Sequence, residues 1–148
     1  MVWTKQAGLL PSVHQANDRV FGAVLFPLSL TLCAACYWPI NPLVFQGAAL
    51  ILGLSDGLAG LIGQKMGRRP YRITGPKTIE GSFVFFIVTV TIFLVLAIEK
   101  SGLTNPLDLF VMAIAALLLT AVEGSLGKGW DNLPIPILGG LILLFLLR

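Results

Sequence analysis

The sequence predicts an all-α fold, a polytopic transmembrane helical bundle of about five spans with a cytoplasmic N-terminus. Three observations carry that expectation. Hydrophobic residues make up 56% of the 148 residues and charged residues 11%, with a mean hydropathy of +0.89, whereas soluble domains carry about 25% charged residues. The apolar residues fall in five runs separated by polar turns. The basic residues lie almost wholly on one side of the layout those runs imply. A chain of this length makes one domain, so residues 1–148 read as a single integral membrane domain that buries its apolar surface in lipid.

Residues 1–20 form a polar lead-in with Pro11, His14, Asp18 and Arg19. They contain no apolar h-region, so no cleavable signal peptide is expected. Residues 21–37 are the first span, with Pro27 inside it as a kink. Trp38, Pro39, Asn41 and Pro42 make a tight turn, and Tyr37 and Trp38 suit a membrane interface. Residues 43–62 are the second span, close to the roughly 20 residues a helix needs to cross. Residues 63–81 are polar and basic and read as a loop. Residues 82–98 and 107–122 are the third and fourth spans, joined by a short loop over 99–106. Residues 123–132 are polar and rich in glycine. Residues 133–147 are a fifth apolar run of fifteen residues that includes Pro134 and Pro136, and they read as a short span.

Five spans with the N-terminus inside place Lys5, Arg19, Lys65, Arg68, Arg69, Arg72, Lys77 and Lys128 on the cytoplasmic side. Only Lys100 and Arg148 fall outside, a bias of eight to two. The two loops with polar motifs therefore face the cytoplasm together, where nucleotides are found. Cys33 and Cys36 share a helix face inside an apolar run and read as packing thiols, since no second ligand pair exists for zinc. The single histidine, His14, excludes a histidine metal cluster and reads as a surface residue.

Chemistry concentrates between residues 55 and 82. Asp56 lies six residues before the end of its apolar run, about 9 Å below the helix end. A charge at that depth is expensive and functional by default. Glycines at 53, 57, 60, 63 and 67 leave a bare face that serves either close helix packing or ligand access. Lys65, Arg68, Arg69, Arg72 and Lys77 make a dense cationic segment that suits lipid headgroups as well as a bound phosphate. Glu80, Gly81 and Ser82 then open the third span. Capping accounts for one acidic or hydroxyl residue at a helix start, but less well for a Lys-Thr-x-Glu-Gly-Ser cluster beside lipid. No GxxxxGK[ST] is present, so this is not a P-loop.

Glu123 closes the fourth span, and Asp131 and Asn132 open the fifth, with Gly124, Gly127, Lys128 and Gly129 between them. If the two loops converge, Asp56, Glu80, Glu123 and Asp131 surround one oxygen-liganded metal such as magnesium. Lys77 and the arginines then neutralise phosphate charge, and a carboxylate accepts the proton of an attacking hydroxyl.

These residues resemble a family. S-D-G-L-A-G-L-I-G-Q-K-M-G, G-P-K-T-I-E-G-S, V-E-G and W-D-N-L-P-I-P, in that order, are similar to the polyprenol kinase group. That group holds dolichol kinase, phytol and farnesol kinases and the CTP-dependent diacylglycerol kinases, and is related to the phosphatidate cytidylyltransferases. The resemblance runs from about Arg19 to the C-terminus. It implies a polytopic membrane enzyme that phosphorylates a lipid alcohol from a nucleoside triphosphate, often CTP and otherwise ATP, with Mg2+. Asp56 and Gly57 match its D-G element, Lys77, Thr78, Glu80, Gly81 and Ser82 its K-T-x-E-G-S, and Glu123 the acid closing the next span. Asp131, Asn132 and Pro136 match its D-N-x-x-x-P.

The expected site therefore assigns catalysis to Asp56, Lys77 and Glu80, and metal binding to Asp56, Glu80, Glu123 and Asp131. Nucleotide and phosphate go to Gly60, Gly63, Arg68, Arg69, Arg72, Lys77, Thr78, Gly81, Ser82 and Lys128, with Asn132 beside them. The expected partners are the nucleotide, a lipid alcohol such as phytol and membrane lipids. Nucleic acid is not expected, and an oligomer is compatible with the reading. A cytidylyltransferase making a CDP-lipid is the alternative, disfavoured because no H-G-G or D-R-x-D element follows Trp130-Asp131-Asn132. Family members usually carry further spans ahead of this part, so a truncated, non-enzymatic membrane relative is the third reading.

Overall fold

The computed structural model describes the backbone of residues 9–72, 76–101, 106–127 and 129–147, and the side chains of 22–71, 77–100, 107–127 and 129–147. The fold is all-α, as the composition requires. Helix α1 spans Leu9–Tyr37 and α2 spans Pro42–Met66. Helices α3 (Ile79–Ser101), α4 (Pro106–Ser125) and α5 (Pro134–Leu146) follow. A small antiparallel hairpin, β1 (Pro70–Arg72) and β2 (Pro76–Thr78), separates α2 from α3. A 3-10 turn, Trp130–Asn132, precedes α5.

Two features depart from the expected layout. Helix α1 begins at Leu9, well inside the stretch read as a polar lead-in. Pro11 is the third residue of that helix, in the first turn, where a missing N–H costs no helical bond. The segment 63–81, expected as a loop, instead contains the last turn of α2, the hairpin and the first turn of α3. The hairpin strands are three residues each, too short to show an alternating pattern. Lys5 lies outside the described residues, and so do the side chains of His14 and Arg19.

Among the described residues, three helices are long and apolar enough to cross a membrane: Pro42–Met66, Ile79–Lys100 and Leu107–Ser125. The apolar parts of α1 and α5, Gly22–Tyr37 and Trp130–Leu146, are shorter. Large apolar side chains such as Phe26, Leu61, Phe83, Val95, Phe110, Leu118 and Phe145 point outward on all five helices. Contiguous apolar surface of this kind is rare on soluble monomers and ordinary against lipid.

The core lies between α2, α3, α4 and α5, on Val44, Ile51, Leu52, Phe85, Phe93, Leu119, Ile135 and Leu143. The lower half of α2 packs along α3, and α3 along α4. In the middle of this core Thr89 Oγ1 donates to Ser55 Oγ at 3.1 Å, joining α3 to α2. Helix α1 is tied on at its C-terminal end and near its middle. Tyr37 Oη donates to the Ile137 carbonyl at 2.6 Å, and Asn132 Nδ2 to the Gly22 carbonyl at 3.1 Å. The turn that presents Asn132 needs Gly129, which has φ +83° and sits against the Gly22 backbone.

Residues Ile51–Asp56 of α2 are wound as a π-helix, which ends on Asp56. Such wide turns recur at functional sites because they re-aim the residues that follow.

Candidate active site

The end of α2, the hairpin, the start of α3, the end of α4 and the 3-10 turn meet at one place. Lys77, on β2, reaches across to the far loop: its Nζ lies 2.6 Å from Glu123 Oε1 and 2.7 Å from Asp131 Oδ2. Asp56 faces the same point. One carboxylate oxygen each from Asp56, Glu123 and Asp131 lie within 4.8 Å of one another. Glu123 and Asp131 are buried, and Asp56 and Lys77 half-buried.

Local chemistry explains why the chain delivers these groups. Thr78 Oγ1 accepts the Gly81 N–H at 3.2 Å, which caps α3 and fixes where β2 becomes helix. Glu80 Oε2 accepts the Arg69 N–H at 3.3 Å, and the Ile79 N–H donates to the Arg69 carbonyl at 3.1 Å. These bonds pin the base of the hairpin. Pro134, at the first turn of α5, lacks only an N–H that would be unpaired there, so it stops the 3-10 turn from merging with a longer helix.

The electrostatics are unbalanced. Three carboxylates against one ammonium leave a net charge of −2 with all four ionised. Burial on its own lowers the Lys77 pKa, but the adjacent charges of Asp131 and Glu123, with their hydrogen bonds, outweigh it and hold the ammonium above its ordinary value of 10.5. The donor set is all carboxylate oxygen, which suits a hard divalent cation over a soft one.

The residues expected at the site divide clearly. Asp56, Lys77, Glu123 and Asp131 come together. Ser82 joins them, donating from Oγ to Glu123 Oε2 at 3.0 Å. Glu80 stands apart, engaged with Arg69 at the hairpin base, and is not in the carboxylate group. Arg68 and Arg69 are exposed. The Arg72 side chain and all of Lys128 lie outside the described residues. Asn132 turns to α1 rather than to the acids.

The glycine stripe also divides. A Cβ on Gly63 would lie 2.8 Å from Thr78 Oγ1, and one on Gly81 would lie 2.9 Å from the Ala59 carbonyl. These two glycines let α2 and α3 approach closely. Gly53, Gly57 and Gly60 have nothing within 4 Å of such a Cβ.

Sequence reasoning missed one participant. Tyr71 Oη lies 2.6 Å from Ser82 Oγ. Its register places it: it is the β1 residue paired with Lys77 of β2.

A helical protein with membrane-length apolar helices and a partly buried Lys–carboxylate cluster belongs to the class of membrane-associated helical proteins with an ionic site. Comparison with known proteins narrows that class. The chain is similar to a phytol kinase of Synechocystis sp., 27% identical over 136 residues that cover 90% of this chain. It spans 58% of the length of that relative. This similarity, with the ordered motifs, supports assignment of the chain to the polyprenol and phytol kinase family. No protein-family model matches the chain. No solved structure matches it either.

Proposed function

We propose that this chain forms the core of a lipid-alcohol kinase, moving the terminal phosphate of CTP or ATP to an isoprenoid alcohol such as phytol. One observation carries the reading: Lys77 from the hairpin converges with three carboxylates, Asp56 from α2, Glu123 from the end of α4 and Asp131 from the 3-10 turn. A lipid hydroxyl and a nucleotide phosphate can meet there without either leaving its own phase.

Asp56, Glu123 and Asp131 would hold Mg2+. Magnesium–oxygen bonds of about 2.0–2.1 Å set ligand oxygens at most about 4.2 Å apart, so the present arrangement, within 4.8 Å, needs only small side-chain rotations to fit. When bound, the ion neutralises phosphate oxygens. Lys77 is the cation bonded to Glu123 and Asp131 among the described residues and binds the transferring phosphate, with the exposed Arg68 and Arg69 as further phosphate-binding groups. Asp56, on a membrane-length helix, holds the cation or receives the hydroxyl proton. The alcohol oxygen bonds to the terminal phosphorus, the bridging P–O bond breaks, and a nucleoside diphosphate leaves. The helices form a multi-pass bundle of about five spans with this site on the cytoplasmic face.

The test is phosphorylation by the purified chain in nanodiscs, with terminally labelled CTP or ATP and phytol, farnesol, dolichol or diacylglycerol. Labelled lipid phosphate is expected with at least one alcohol. No lipid phosphate from any pairing, in folded protein, would sink the reading. Release of pyrophosphate with a CDP-lipid would identify a cytidylyltransferase instead.

A further inference from the structure

Glu123 is held at both oxygens, by Lys77 of the hairpin and by Ser82 in the first turn of α3. Lys77 binds Oε1 directly at 2.6 Å. Ser82 donates to Oε2 at 3.0 Å, and Tyr71 Oη lies 2.6 Å from that same Ser82 oxygen. A serine hydroxyl has a single proton. With that proton committed to Glu123, Tyr71 must be the donor to Ser82. Two hydroxyls in series thus point their protons toward the carboxylate.

The arrangement is built into the backbone twice. Tyr71 and Lys77 are partners in the two-stranded ladder, so they share one face of the hairpin. The residue after Glu123 is Gly124, where a Cβ would come 2.6 Å from Tyr71 Oη. The phenol lies over a position that leaves it room.

We propose that Tyr71 is a positioning residue of the site, acting through Ser82 to fix the orientation of the Glu123 carboxylate. This rests on the kinase reading for its consequence, and on the hydrogen-bond chain for its mechanism. When Lys77 turns to a phosphate, Oε1 is freed. The Tyr71–Ser82 chain then remains to hold Glu123 in place. Groups that orient ligating carboxylates in this way typically matter by about ten- to a hundredfold in metal affinity or activity.

The experiment uses the full chain in nanodiscs, as parent, Tyr71→Phe, Ser82→Ala and the double variant. Tyr71→Phe keeps the ring over Gly124 and removes only the hydroxyl. It is expected to melt close to the parent while its kcat falls about tenfold, with KM for the lipid alcohol unchanged. The double variant should be no slower than Ser82→Ala alone, because Tyr71 acts through Ser82. Parental turnover by Tyr71→Phe, or losses that multiply in the double variant, would overturn the role. Should the parent make no lipid phosphate, the kinase reading falls, and Tyr71 is judged on Mn2+ binding followed by electron paramagnetic resonance. Weaker Mn2+ binding by Tyr71→Phe, with no further loss from it in the Ser82→Ala background, supports the role. Equal affinity in parent and Tyr71→Phe, or no Mn2+ binding by the parent, overturns it.

Discussion

The Lys77 ammonium lies 2.6 Å from Glu123 Oε1, although 46 residues separate the two in the chain. Glu123 is almost fully buried, with its side chain 3% exposed, and Lys77 also bonds Asp131. Removing the ammonium leaves buried carboxylates facing one another without a counter-charge, which typically costs about 3–5 kcal/mol. Lys77→Met should therefore both abolish turnover and lower the melting temperature. Divalent cation should raise the melting temperature of Lys77→Met more than that of the parent, since it relieves the same repulsion. A melting curve in Mg2+ and in chelator, for both proteins, checks this. Equal shifts in the two would separate Lys77 from the cation site.

The same ion pairs set a pH dependence. The Lys77 pKa is raised on folding above its ordinary 10.5. A raised folded value means the contribution is fully present below about pH 10.5 and is lost as pH climbs through the higher folded value. The stability gap between the parent and Lys77→Met should thus stay level from neutral pH to about pH 10 and narrow only beyond it. Paired melts across that range measure it. A gap that closes between pH 7 and 9 would mean that Lys77 is not held as an ammonium by its two partners.

How much of this was legible follows from what each residue displaces. Asp56 stands inside an apolar run and Glu123 and Asp131 at the edges of two others, where a carboxylate has no structural excuse, so they could be picked out one by one. Their convergence depends on how α2, α4 and α5 pack, which no local pattern encodes. Glu80 gave the same one-dimensional signal as Glu123. Its place in the first turn of α3 puts it beside the hairpin base, where the Arg69 N–H takes it. The hairpin itself was hidden because its strands are three residues long, and Tyr71 was hidden with it. The long apolar helices were the plainest part, because nothing but length and hydropathy decides them. The start of α1 was not, because polar residues from Leu9 onward lower helix propensity only slightly and do not by themselves end a helix.

Two glycines with the same sequence appearance should behave oppositely. At Gly81 a methyl group would meet the Ala59 carbonyl at 2.9 Å, a backbone atom that cannot swing aside. Gly81→Ala should force α2 and α3 apart and destabilise by about 1–3 kcal/mol. At Gly53 a methyl meets nothing within 4 Å. Gly53→Ala should leave stability unchanged or raise it by up to about 1 kcal/mol through helix propensity. Thermal unfolding of the two variants in the same detergent decides the matter, and destabilisation by Gly53→Ala would show that its open face is covered.

Asp56 offers the sharpest separation of fold from function. It shares the carboxylate group with Glu123 and Asp131, yet Lys77 bonds only those two. In the absence of a divalent cation its charge is therefore mostly repulsive. Asp56→Asn preserves shape and removes one negative charge from a site that carries an excess of two. It should hold stability level or raise it by about 0.5–2 kcal/mol, as replacements of strained functional groups often do. Turnover should nonetheless fall at least about a hundredfold, because Asp56 is both a candidate cation ligand and the acid placed to meet the lipid hydroxyl. Kinase assays and melting curves on one preparation of Asp56→Asn give both numbers. A variant that is less stable and still active would make Asp56 a packing residue, and would leave Glu123 and Asp131 as the whole of the acidic site.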